Sequence, residues 1–330
     1  MECKVSFLLQ RPDIGVFEVE NVTIYLQPFE THHPLLKGTL DMNTKNVLSV
    51  LCVMFLATLT FGAFADFDTP VIKEWTEKIV NDKGEEETVD YMTIDDVMVH
   101  ETDPAKQPQP TVVTPGTAST QGMPGKAPSD AIVLFDGKDL SNWTSTTPGE
   151  PSKWIVKGKA LCPTKDSGMI QTTQEFGSCQ LHVEFATPRK PEGEGQGRGN
   201  SGVFLMGQYE IQVLDSYENT TYPDGQAGAL YGRSKPLVNA SRKPGQWQTY
   251  DIIFHRPIFD GDKVVKRATF TVLHNGVLIQ DHYELSGGTG WRGSHSITNY
   301  VPHGDKGPIQ LQDHGNPVLF RNIWVRELAD

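Results

Sequence analysis

Glu210 and Gln212 stand two residues apart in GNSGVFLMGQYEIQVLD (199–215), where a glycine-rich loop runs into two β-patterned runs. Alternate side chains of a strand share a face, so the carboxyl and the amide point one way while Ile211 and Val213 point the other. A carboxyl can move a proton, and an amide can hold hydroxyl groups. The same pattern recurs twice: His182 and Glu184 alternate with Leu181, Val183 and Phe185, and Gln310, Gln312 and His314 alternate with Ile309 and Leu311. The apolar positions pin each register, so each polar side must meet solvent or a cleft. Solvent exposure alone accounts for any one of these faces. Three strands that carry amides, carboxylates and imidazoles rather than Lys and Thr point instead to a surface for a hydroxyl-rich ligand. Tyr209, Tyr217, Tyr231 and Trp291 are available to stack on sugar rings.

Other chemistries lack their signatures. Gly197-x-Gly199-x-x-Gly202 matches a dinucleotide fingerprint formally, but Val203 to Met206 continues as a strand where that motif needs a helix, so the loop reads as a rim. No HExxH or GxSxG element is present. His182, His314 and a carboxylate are candidates for a divalent metal, without a supporting spacing. Asp215 is expected to cap the turn at Ser216.

These side chains need strands to position them. Lys153–Ala160, Gln180–Thr187, Trp247–His255, Ile309–His314 and Pro317–Glu327 all read as strands. Thr269–Tyr283 reads as a hairpin about His274-Asn275-Gly276. About ten short strands between Ser129 and Asp330, with no βαβ rhythm, predict an all-β, jelly-roll β-sandwich over 129–330.

Upstream the composition changes. Asp103–Pro128 is a Pro, Thr, Gly and Gln mixture, expected to be an extended, mobile linker closing an acidic segment over 66–128. Within that segment Thr88–Val99 could pair as a strand. Residues 42–65 have the basic start, apolar run and Ala63-Phe64-Ala65 cleavage pattern of a secretory signal peptide. Met42 is therefore read as the true start and 1–41 as an extension from a misplaced start codon. An uncleaved membrane anchor is the rival, because the run approaches spanning length. A net charge of −12 argues against a nucleic-acid partner. Cys162 and Cys179 allow either one disulfide in an oxidising compartment or two separate buried thiols.

The segments LFDGKDLSNW, RGNSGVFLMGQYEIQVLDS, GALYG, GQWQTYDIIF, HNGVLIQD and GPIQLQDHGNPVLFRNIWVREL resemble the 3-keto-disaccharide hydrolase domain family in order, over roughly 130–328. The resemblance implies a concanavalin A-like jelly roll, bacterial export to the periplasm or outside, and a glycoside or oligosaccharide substrate oxidised at carbon 3. It maps the family's best-kept motif positions onto Asn200, Glu210, Gln212, Asp215, Tyr231, Gln312 and His314. A ketone at carbon 3 acidifies the hydrogen on carbon 2, so elimination and rehydration can cleave the bond at carbon 1. Glu210 or His314 is then the expected base, with Gln212 or a metal polarising the ketone. Direct hydrolysis by Glu184 and Glu210 is the alternative mechanism. A non-catalytic carbohydrate-binding or adhesion module is the alternative function.

Overall fold

The computed structural model describes residues 4–11, 15–23, 71–80, 83–94, 97–98, 110–291 and 299–330. The signal peptide expected at 42–65 lies outside them. The chain divides into two compact units, 1–109 and 110–330.

In the first unit, β1 (Lys4–Arg11) pairs with β2 (Gly15–Thr23), while β3 (Ile72–Val80), β4 (Glu86–Ile94) and β5 (Val97–Met98) form a second antiparallel sheet. The strand expected at 88–99 is thus β4 and β5, held in register where Trp75 faces Tyr91 and their rings stack 5.3 Å apart.

The second unit is a sandwich without an α-helix among the described residues. Its strands are β6 (Ile132–Phe135), β7 (Trp143–Ser145), β8 (Ile155–Lys157), β9 (Ala160–Cys162), β10 (Ile170–Phe176), β11 (Cys179–Ala186), β12 (Ser201–Leu205) and β13 (Tyr209–Val213). After these come β14 (Gln248–His255), the small hairpin β15 (Ile258–Asp260) and β16 (Lys263–Lys266), then β17 (Thr269–His274), β18 (Val277–Glu284), β19 (Gly307–Leu311) and β20 (Leu319–Glu327). One sheet runs β13-β12-β19-β10-β7. The other runs β18-β17-β14-β11-β20-β9-β8, with β6 also on β20.

The alternation in the sequence decides which side chains meet between the sheets. Leu181, Val183 and Phe185 of β11 and Tyr250, Ile252 and Phe254 of β14 face Tyr209, Ile211 and Val213 of β13, all in one buried cluster. Tyr209 packs 5.8 Å from Phe254, and the Tyr250 hydroxyl crosses the gap to donate to the Gln212 carbonyl at 2.8 Å. Asn275 and Gly276 take φ of 53° and 80°, the left-handed pair that a tight hairpin requires, and so fix β17 against β18. Cys162 on β9 and Cys179 on β11 are separated by β20 and are free thiols; burial pushes Cys179 up to about 12.

The linker expectation is corrected over 110–128. These residues form a strap packed on the outer side of the larger sheet. The Gln121 amide brackets the backbone of Trp247, donating to its carbonyl at 2.8 Å and accepting from its N–H at 2.7 Å. Arg321 donates to the Thr120 carbonyl at 2.6 Å, and Ser119 donates to Glu184. The composition lacks apolar periodicity because the strap is held by polar groups rather than by a buried stripe.

Candidate functional site

β12, β13 and β19 lie side by side, and their pairing brings the predicted residues into rows. Phe204 stands between Glu210 and Gln310, and Gly202 pairs with Gln212. Gln312 continues from β19, its N–H donating to the Gly202 carbonyl at 3.1 Å. Because Ile211, Val213, Ile309 and Leu311 enter the core, Glu210, Gln212, Gln310 and Gln312 share the outward face of the smaller sheet. His314 follows, exposed, past the end of β19.

Glu210 is the chemically unusual member. It is 6% exposed, and burial alone raises its carboxyl to about 8. Its backbone N–H donates to Thr289 Oγ1 at 2.8 Å. Its side chain folds over Gly202, where an added Cβ would stand 2.6 Å from Glu210 Oε1 and 2.8 Å from the Phe204 ring. This position needs a glycine for space. Burial, and then the hydrogen bond with the Tyr222 hydroxyl at 2.8 Å, raise the Tyr231 phenol above its usual range, with Glu210 nearby adding to the shift once it is ionised.

Gln212 is buried beside Glu210, with Gln196 at 2.9 Å and Asn200 at 3.3 Å. Gln310 bonds Gln171 of β10 at 3.0 Å. Asn200 is also tied to the far rim, its N–H donating to Asn316 Oδ1 at 3.2 Å. Buried Asp215 accepts from the Tyr217 N–H at 3.3 Å, as expected of a turn cap, and also ion-pairs with half-buried Arg198 at 2.9 Å. Trp291 is exposed at the loop after β18.

Two expectations change here. His182 and Glu184 sit on β11, in the other sheet, and their apolar neighbours enter the same core from the opposite side. Their polar face therefore looks away from Glu210. Glu184 is fully buried beneath the strap. Burial opposes its ionisation, but hydrogen bonds with His182, Ser119, Asn322 and Arg321 outweigh it and hold the carboxyl at about 2. His182 is half-buried, which lowers its basicity, yet Asp251 at 2.6 Å and Glu184 raise it to about 9, and its ring stacks 5.0 Å over Trp324. This is a saturated ion-pair network. It does not join Glu210 in an acid–base pair, nor His182 with His314 in a metal site. No cluster of three or more His, Cys, Asp or Glu suited to a metal occurs among the described residues.

The second change concerns Tyr209, which is a core residue with its hydroxyl 2.6 Å from His303 Nε2 and does not face a ligand. Sequence reasoning missed Gln196, Gly202 and Thr289. Gly202 was visible only as part of a loop motif, and Gln196 and Thr289 carry no periodic signal.

A two-sheet antiparallel sandwich, here with a buried carboxyl among amides and tyrosines on one outer face, is a jelly-roll β-sandwich. The chain belongs to the 3-keto-alpha-glucoside-1,2-lyase-like domain family, whose model matches residues 130–326. It is 25% identical over 244 residues to a 3-keto-disaccharide hydrolase of Bacteroides thetaiotaomicron, spanning 60% of this chain and 78% of that protein. A solved structure of a candidate glycosyl hydrolase from Parabacteroides distasonis superposes with a TM-score of 0.64 at 46% identity, over 71% of this chain and 98% of that one. The family and these relatives make the protein glycosyl hydrolase-like. No helix among the described residues is long and apolar enough to cross a membrane.

Proposed function

We propose that the protein is an exported enzyme that cleaves the glycosidic bond of 3-keto-glycosides by elimination followed by hydration, with Glu210 as its proton-transfer group. The observation that carries this reading is the Glu210 carboxyl itself: buried, raised to about 8 by desolvation, and set among groups suited to sugar hydroxyls. The name of the Bacteroides relative supports the substrate class.

In the reaction a base takes the hydrogen from carbon 2, and its electron pair forms the enolate of the carbon-3 ketone. The enolate expels the oxygen on carbon 1, which leaves with a proton. Water then adds across the new double bond, for net hydrolysis. A carboxyl that stays protonated below about pH 8 suits the acid that protonates the leaving oxygen. Burial thus favours Glu210 as the acid, and of the two bases expected from sequence, Glu210 and His314, it leaves His314. Asn200, Gln212, Gln310 and Gln312 offer amides to hydroxyls and to the enolate oxygen, and Tyr231 and Trp291 offer rings. Glu184, on the opposite face, takes no part.

The test is release of free sugar from 3-keto-trehalose and 3-keto-lactose by wild type and Glu210→Gln, with the unoxidised disaccharides and a chelator as further arms. Release from the 3-keto sugars alone, lost in Glu210→Gln, is expected. Turnover of unoxidised sugar would refute the elimination route, and loss on chelation would assign the polarising role to a metal. Binding of glycosides without any product would favour a non-catalytic carbohydrate-binding module.

A further inference from the structure

We infer that Gln196 and Asn200 act as a clamp that fixes the Gln212 amide with its oxygen toward Glu210, so that the resting carboxyl must hold the proton and can release it only as the amide turns.

Two amides beside Gln212 have their orientation set elsewhere. Gln196 spends its NH2 on the Gly225 carbonyl at 2.8 Å and Thr221 Oγ1 at 3.2 Å, so its oxygen faces Gln212 at 2.9 Å. Asn200 spends its NH2 on the Gln196 carbonyl at 2.8 Å, so its oxygen also faces Gln212, at 3.3 Å. Two acceptors side by side call for the Gln212 NH2. The Gln212 oxygen then lies 3.1 Å from Glu210 Oε1. Two oxygens at hydrogen-bond distance need a hydrogen between them, and only the carboxyl of Glu210 can carry one.

A counter-pull comes from the Ser201 carbonyl, 3.1 Å from the same Gln212 atom. Turning the amide would give its NH2 to Ser201 and to an ionised Glu210, at the cost of setting its oxygen against that of Gln196. The site therefore has two states, each with an oxygen–oxygen contact left unbridged: a protonated carboxyl with the amide clamped and its oxygen beside the Ser201 carbonyl, and a carboxylate with the amide turned and its oxygen beside that of Gln196. Among the described residues, the groups that face Glu210 from its neighbours are Phe204 of β12, Thr289 of the loop after β18, and the Tyr231 hydroxyl, with Tyr222 and Asp224 behind it. None of these is cationic, so the amide is the group that answers a new negative charge. When Glu210 gives its proton to the leaving oxygen, the turned Gln212 supplies a donor to the carboxylate just formed. Gln196 and Asn200 are positioning residues.

The catalytic consequence rests on the reaction proposed above; the test does not. It follows the Glu210 carboxyl by infrared difference spectroscopy without substrate, the band being assigned by its absence in Glu210→Gln. Gln196→Leu removes one of the two acceptors that hold the amide and is expected to lower the Glu210 midpoint by at least one pH unit, a tenfold loss of proton affinity. Asn200→Ala should shift it the same way by less, and covers the case in which Gln196→Leu does not fold. Gln196→Glu, which keeps an acceptor, should not lower it. A merely structural role would reduce stability without moving the midpoint. A midpoint unmoved in Gln196→Leu and Asn200→Ala, or a wild-type carboxyl already ionised at pH 6, would overturn the inference. Inactivity on every 3-keto sugar with the midpoints as expected would instead count against the proposed reaction alone.

Discussion

Glu184 and Glu210 lie on opposite outer faces of one sandwich, each flanked in its strand by residues that enter the shared core. Their environments push them in opposite directions. Glu184 is ionised and fully engaged; Glu210 has no charged partner among the described residues and keeps its proton below about pH 8. One holds the strap to the sheet, and the other can do chemistry.

Glu210→Gln should abolish turnover while leaving the fold intact, because an amide NH2 at that position reproduces the donor that a protonated carboxyl offers Gln212. The stability consequence has a definite sign. A carboxyl raised from 4.5 to about 8 favours folding fully below pH 4.5, and that contribution is lost as pH rises to about 8. Urea unfolding at pH 5 and pH 8 should show a fall in wild-type stability, of the order of several kcal/mol at most. In Glu210→Gln that fall should be smaller.

Gly202→Ala should place a methyl group 2.6 Å from Glu210 Oε1 and force the carboxyl out of its seat. A loss of about 1–3 kcal/mol in stability is expected from the crowding. The fall in kcat should exceed the rise in KM, which steady-state kinetics would measure.

Glu184→Gln should behave in the opposite way. Arg321, paired with Glu184 at 2.7 Å and set over the Trp247 ring at 4.2 Å, would lose its buried partner. Removing one member of such a pair costs about 3–5 kcal/mol. Calorimetry should show a clear drop in Tm, while kcat and KM of the remaining folded protein stay close to wild type.

Gln121→Ala should loosen the strap by removing two hydrogen bonds to the Trp247 backbone, worth together about 1–3 kcal/mol. Hydrogen exchange should show faster exchange at the Trp247 amide, with the amides of β13 unaffected.

The sequence by itself determined the strands and their faces. Period-two alternation is a local property, so the pairing of Glu210 with Gln212, of His182 with Glu184, and of Gln310 with Gln312 each survived intact, as did the Asn275-Gly276 turn. Tertiary structure decided which of those faces look the same way. Each strand's register says only that its polar side points away from the core, and a core between two sheets has two outer sides. β11 joins one sheet by pairing with β20, and β13 joins the other through β12, which pairs with β19; both long-range pairings span more than a hundred residues of chain, which no local pattern encodes. The same non-locality hid Gln196, whose role depends on Gly225 and Thr221 fixing its amide. It also hid the strap, whose partners Trp247 and Arg321 lie far along the chain.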